Sequence, residues 1–502
     1  MIGFHYLAGI AVGLTTAFGA AGDAGGTPLD REAGVLDTLA ALAERPDEEV
    51  DVAAAALVVA KGIYPDLDVQ AHLRQVDRLA RELRTSLAPH RAPEARLRTM
   101  AQVVYGDWGY AARDVLPPGV FVGFNEVLER RQWNCLGLTV LYIALGQRVG
   151  MPMRMVSGPG HVFVEYIGPP ALHVETTDHG RVHARKDYLT GYLPFPHMEL
   201  DDYVALNAKR TVAVILSQTA LAVQNRGRAG LARQYYEMAL RFDQGHAEAH
   251  AGLGFLHAAS GSASEAAAAF RRAIELSPRL PEAYGGLGNL LHATGDLSGA
   301  LDVYERLLEI RPDEPKTVFN MGQVLYEAGD LDGSIAAFGR YTKLMPGDPD
   351  GFARLAFPLE DKGDVAGAMS AYRETLRIDP TYADAHVNLG FLLEREGKTA
   401  EAMEAYEAAL TVRPKHALAM AGRGRVLAAG GQTGAAIELL EKALALSPGN
   451  PVLWLDYGNI LRQAGRLEEA VAAYRRAIGL DPTDAETHLA LAQALLEAGN
   501  PE

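Results

Sequence analysis

The sequence predicts a mostly α chain in two parts, an N-terminal α+β domain followed by an α-solenoid of paired helices. Three observations carry this. From Ala213 onward, small and bulky residues recur every 34 positions. Residues 24–212 do not repeat; helical patterns there lead into two short β-branched runs, "HVFVEY" and "LHVETT". The composition is that of a folded chain, 48% hydrophobic and 22% charged, but aromatics make up only 7%. Helices packed through small residues suit such a chain better than an aromatic core.

The chain opens on "MIGFHYLAGIAVGLTTAFGAAG", whose residues 1–22 carry no Asp, Glu, Lys or Arg. An apolar segment with a small-residue exit at Gly19 to Ala21 reads as an export signal or N-terminal anchor; the other reading is an N-terminal helix. Export or envelope association follows from the first reading, a cytoplasmic location from the second. No other stretch is long and apolar enough to cross a bilayer. Next, "EEVDVAAAALVVAKGIYPDLDVQAHLRQVDRLARELRTSL" predicts two helices split at Tyr64-Pro65-Asp66. "PEARLRTMAQVVYGDWGY" predicts a third, and "RDVLPPGVFVGFNEVLERR" a loop closing in a helical turn. Cys135 to Val149 is apolar nearly all round and stops at Gly150, as a buried core helix does. The two β-branched runs, parted by Gly168, Pro169 and Pro170, predict a hairpin, which completes an α+β domain over residues 24–212.

The repeats fill 213–502. Counting from Ala247, position 8 is small from Gly254 to Gly458, position 20 is small from Ala266 to Ala470, and position 24 is bulky from Phe270 to Tyr474. Position 32 is proline from Pro278 to Pro482. Small residues let two helices approach at their crossing, the bulky residue fills the gap beside it, and proline ends the second helix. Eight units result, the first degenerate with Gln244 in the proline column, followed by a half unit from Ala485 expected to cap the stack. Pro358 lies inside a first helix and is expected to kink it.

The net charge of −16 repels a phosphate backbone and argues against nucleic-acid binding. The one cysteine, Cys135, excludes an intrachain disulfide. Asn134 is a good N-cap, so Cys135 falls in a first helical turn, where free N–H groups and the helix dipole favour a thiolate. Such a thiol needs a base and an orienting group. A hairpin symmetric about Gly168 places His161 opposite Glu175; a slip of one residue brings Val174 or Thr176 there instead. Cys135, His161 and Glu175 are therefore the candidate catalytic set, with Asp178 a rival orienter. Gln132, Trp133 and Asn134 flank the thiol as candidate pocket walls. His173, His179 and His183 lack compact ligand spacing, and neither a metal nor another cofactor is expected.

The stretch "NEVLERRQWNCLGLTVLYIALGQRVGMPMRMVSGPGHVFVEY" with "LHVETTDHG" resembles the transglutaminase-like superfamily, and the 34-residue units resemble tetratricopeptide repeats. The first resemblance covers roughly 47–200 and looks like a bacterial branch in which this domain precedes such repeats. It implies a papain-like α+β fold with Cys135 as nucleophile, His161 as base and Glu175 as orienting acid, where the family usually has aspartate. The implied activity is a cysteine-dependent hydrolase or acyltransferase of the peptidase or amidase type; the alternative is a non-catalytic repeat scaffold with a relic domain. A protein or peptide partner is expected on the first helices, at position 9: Phe255, Asn289, Gln323, Phe357, Phe391, Arg425 and Asn459.

Overall fold

The computed structural model describes residues 28–112, 123–158, 161–184 and 203–499. The N-terminal segment 1–22, expected to be a signal, an anchor or a helix, lies outside them. Among the described residues no helix is long and apolar enough to cross a membrane. The chain divides into two compact units, 1–259 with 275–278, and 260–274 with 279–502.

In the first unit, α1 (Pro28–Ala43) precedes the expected pair α2 (Val52–Ile63) and α3 (Val69–Leu87). Carboxylates start both members of that pair: Asp51 accepts from the amides of Ala53 and Ala54, and Asp68 accepts from Ala71. The next helix, α4 (Pro93–Ala101), gives way to a π-type stretch over Gln102–Asp107 rather than running to Tyr110. After α5 (Phe124–Arg130) comes α6 (Cys135–Val149), which ends at the left-handed Gly150 as its pattern predicts.

The expected two-strand hairpin is part of a five-stranded antiparallel sheet. A minor parallel pair, β1 (Ala111–Ala112) with β2 (Gln132–Trp133), lies apart from it. The main sheet holds β3 (Met153–Gly158), β4 (His161–Tyr166), β5 (Leu172–Glu175), β6 (Arg181–Ala184) and β7 (Val204–Leu206), in the order β6-β5-β4-β3-β7. Met155, Val162, Val164 and Val174 join the buried side chains of α6 in one core. The hairpin register also differs from a turn symmetric about Gly168. Val164 pairs with Val174 and Glu165 with His173, a shift of two residues. A two-residue shift keeps every side chain on its face, where a one-residue slip would invert them all.

Eight helix pairs follow, from Ala208–Asn225 with Ala229–Phe242 to Pro451–Gln463 with Leu467–Leu480, and then one helix, Ala485–Glu497. Within the first unit, Asp47 receives the amides of Ala208 and Lys209, and the Tyr235 hydroxyl donates to the Val59 carbonyl. In the second unit the bulky side chain of position 24 sits as predicted against position 8. A Cβ added at Gly390 would come 2.8 Å from the Tyr406 ring. The same ring also meets Gly422, position 6 of the next unit, at 2.3 Å. Each first helix ends at a left-handed glycine recurring every 34 residues from Gly227 to Gly499, with φ between +74° and +84° except +73° at Gly397. The helix Pro349–Asp361 continues through Pro358, which sits in its last turn.

Candidate active site

The site forms where the N-terminus of α6 meets the ends of β4 and β5. Asn134 adopts an extended conformation and accepts from the Gly137 amide at 3.0 Å. That satisfies one first-turn donor and leaves the earlier amides of the turn, with the positive end of the dipole, beside Cys135. A close approach fixes this turn: a Cβ on Gly137 would fall 1.8 Å from Trp133 Cδ1.

His161 opens β4 and Glu175 closes β5. His161 Nε2 and Glu175 Oε2 are 2.8 Å apart, and the Glu175 side chain is 3% exposed. In the observed register Glu175 aligns with Phe163, so its carboxylate reaches His161 diagonally. The other oxygen, Oε1, accepts from the Thr177 amide at 2.8 Å and from the Thr177 hydroxyl. The carboxylate is thus held at both oxygens. Burial opposes a charge on His161, but a hydrogen bond with the Cys135 side chain and the Glu175 carboxylate outweigh it and push the imidazole up from 6.5 to about 10.

The residue between the two anchors ties the strand end to the thiol helix. Thr176 Oγ1 donates to the Cys135 carbonyl at 3.4 Å and lies 3.3 Å from Thr139 Oγ1. The Tyr105 hydroxyl donates to the Thr176 carbonyl at 2.6 Å. Sequence reasoning weighed Thr176 only as a register alternative opposite His161, and missed Thr177 and Tyr105. The signal for Thr177 was present: a hydroxyl two residues beyond an acidic side chain readily closes a local turn.

The remaining candidates divide. Trp133 is buried in the core at 3% exposure, while Gln132 is exposed on β2. Asp178 forms an ion pair with Arg181 at 3.0 Å. His173 faces Glu165 at 3.6 Å. Among the described residues no group of three or more His, Cys, Asp or Glu could hold a metal ion. At position 9 the amides are used inside the repeats: Asn289 accepts from Tyr304 at 2.7 Å, and Asn459 from Tyr474 at 2.8 Å. Arg425 pairs with Glu394 and Asp456, and Phe357 packs edge-on to Tyr372. Gln323 is half-buried, and Phe255 and Phe391 are exposed.

A family model of the transglutaminase-like superfamily matches residues 70–201. Tetratricopeptide-repeat models match stretches between 218 and 499. A "UPF0162 protein" of Xylella fastidiosa (strain Temecula1) is 29% identical over 126 residues, 24% of this chain and 44% of that protein. One of Vibrio cholerae serotype O1 is 26% identical over 120 residues, with the same coverage of 24% and 44%. The chain therefore spans less than half the length of these relatives. Among solved structures, a tetratricopeptide repeat protein from Parabacteroides merdae aligns with a TM-score of 0.42 and 16% identity, covering 50% of this chain and 99% of its own. The chain thus carries a transglutaminase-like superfamily domain over residues 70–201, followed by tetratricopeptide repeats across 218–499.

Proposed function

We propose that the N-terminal domain is a cysteine-dependent acyl-transfer site, a hydrolase or transferase of the peptidase or amidase type, and that the repeats recruit a protein or peptide to it. One observation carries the reading: a buried carboxylate 2.8 Å from His161, an imidazole pushed up to about 10 in part by its hydrogen bond with Cys135. An imidazolium beside a thiolate at a helix start is an activated nucleophile.

With Nε2–H donated to Glu175, Nδ1 is the nitrogen left to take the thiol proton. The Cys135 thiolate attacks an amide or ester carbonyl; a C–S bond forms, and first-turn amides stabilise the oxyanion. Collapse expels the amine or alcohol, which takes the proton from His161. Water or a second amine, deprotonated by His161, then attacks the thioester and releases Cys135. Glu175 holds the imidazole orientation and its charge throughout.

Iodoacetamide alkylation near neutral pH tests this. Cys135 in the wild type labels at least tenfold faster than in His161→Ala. A thiol that labels only upon unfolding, or at the same rate in both, refutes catalysis and leaves a repeat scaffold with a relic domain.

A further inference from the structure

The turn between β5 and β6, Thr176 to Gly180, carries contacts to both halves of the candidate site. Thr177 holds one oxygen of the Glu175 carboxylate through its amide and its hydroxyl. Thr176 Oγ1 donates to the Cys135 carbonyl. Three residues of this turn meet Tyr105. Its hydroxyl donates to the Thr176 carbonyl at 2.6 Å. Its ring stands edge-on to His179 at 5.9 Å between centroids. At Gly180, left-handed with φ +70°, an added Cβ would fall 2.7 Å from Tyr105 Cε2, so the bare backbone lies against the ring. The Gly180 amide then closes the turn on the Glu175 carbonyl at 3.0 Å.

Tyr105 itself stands in the π-type stretch, where the Trp108 amide reaches the Val103 carbonyl, five residues back, at 2.8 Å. Such wide turns are rare and recur at functional sites. Val103 and Val104 are buried in the core, which makes the stretch a fixed base. Burial pushes the Tyr105 hydroxyl up from its ordinary value, and the Glu175 carboxylate adds to the rise, so the group keeps its proton and donates at neutral pH.

We propose that Tyr105 is a positioning residue of the site. It anchors the turn Thr176–Gly180, and through that turn sets Glu175 against His161 and the Thr176 hydroxyl against the Cys135 carbonyl. The inference rests on the reading of Cys135, His161 and Glu175 as a catalytic set. Two arms of one turn end at two members of that set, and the Tyr105 hydroxyl holds the peptide group between them. Without it the Thr176 carbonyl loses its donor, the turn loosens, and the carboxylate is placed less exactly.

The test is Tyr105→Phe in the full chain, which keeps the ring and removes the hydroxyl. The comparison is Tyr235→Phe, which removes a tyrosine hydroxyl from a different backbone carbonyl of the same unit, that of Val59. Cys135 on α6 and Glu175 on β5 are the ionisable groups that raise His161, so its NMR titration reads their placement. Tyr105→Phe lowers that titration point by about half a pH unit or more, and slows Cys135 alkylation by iodoacetamide at neutral pH about threefold. Tyr235→Phe lowers the Tm and leaves both readings unchanged. Thr176→Val, which cuts only the arm to Cys135, also slows alkylation, and the double variant Tyr105→Phe with Thr176→Val is slower by less than the product of the two single effects. An unchanged His161 titration in Tyr105→Phe, an equal shift in Tyr235→Phe, or fully multiplicative effects in the double variant overturn the proposal. If wild-type Cys135 labels no faster than in His161→Ala, the catalytic reading falls by itself; the His161 titration still reports the Glu175 contact and alone decides the role of Tyr105.

Discussion

The reach of Glu175 can be tested by shortening it. The observed register aligns Glu175 with Phe163, and His161 lies two residues further along β4. Diagonal cross-strand neighbours sit about 7–8 Å apart, within reach of a long side chain. Glu175→Asp removes one methylene, about 1.3 Å of reach. The 2.8 Å contact then opens to about 4.1 Å. At an effective dielectric of about 20, the attraction falls from about 6 to about 4 kcal/mol. A loss of about 2 kcal/mol is about 1.4 pKa units. His161, now pushed up to about 10, should titrate near ~8.5 in Glu175→Asp and lower still in Glu175→Gln, which removes the charge. The assay is an NMR titration of the His161 imidazole, with the pH profile of Cys135 alkylation alongside. If Glu175→Asp titrates where the wild type does, the diagonal-reach argument is wrong. If Glu175→Gln falls no further than Glu175→Asp, the carboxylate charge is not what holds His161.

Four other outcomes follow from the same geometry. His161 has a folded pKa near 10, above its unfolded 6.5, so its stabilisation is complete below 6.5 and lost as pH rises through 10. By linkage it is at most about 5 kcal/mol, and the Tm advantage of wild type over His161→Phe in the first unit should shrink between pH 6 and pH 10. Gly137→Ala drives a methyl into Trp133 and should cost about 1–3 kcal/mol in urea unfolding while slowing Cys135 alkylation. Arg425→Met strands the buried Asp456 and should cost the repeats about 3–5 kcal/mol; adding Asp456→Leu should recover much of it. Gly397→Ala meets only open space at φ +73° and should cost about 1–2 kcal/mol through the backbone alone, whereas Gly339→Ala, mid-helix and unobstructed, should gain about 0.5–1 kcal/mol.

The solenoid was legible because its rules are local: glycine at position 8 and a ring at position 24 of the same unit identify the packing by spacing alone. The left-handed glycine column from Gly227 to Gly499 was equally present and is a signal that the packing columns overshadowed. In the N-terminal domain, Asn134 and Gly150 mark both ends of α6 because caps are written in single residues. The strands were harder. β6 alternates polar residues, β7 is three residues long, and β3 has one β-branched residue; each is a strand because of its neighbours. The pairing of His161 with Glu175 survived a wrong register because the shift was even. The use of Asn289 and Asn459 by tyrosine hydroxyls was hidden, since it depends on where a side chain 15 residues away ends up.

The tyrosine held between Gly390 and Gly422 has a consequence for how the array comes apart. Tyr406 belongs to two repeats at once, so it contributes both to the intrinsic stability of its own unit and to the coupling with the next. Removing the ring should therefore act as a cut in a one-dimensional chain. Tyr406→Ala should turn one cooperative transition of the second unit into two, with a break between the blocks before and after residue 406. A ring at the end of the array would lower stability without dividing it. Position along the stack, as much as burial, sets what the loss of such a side chain does.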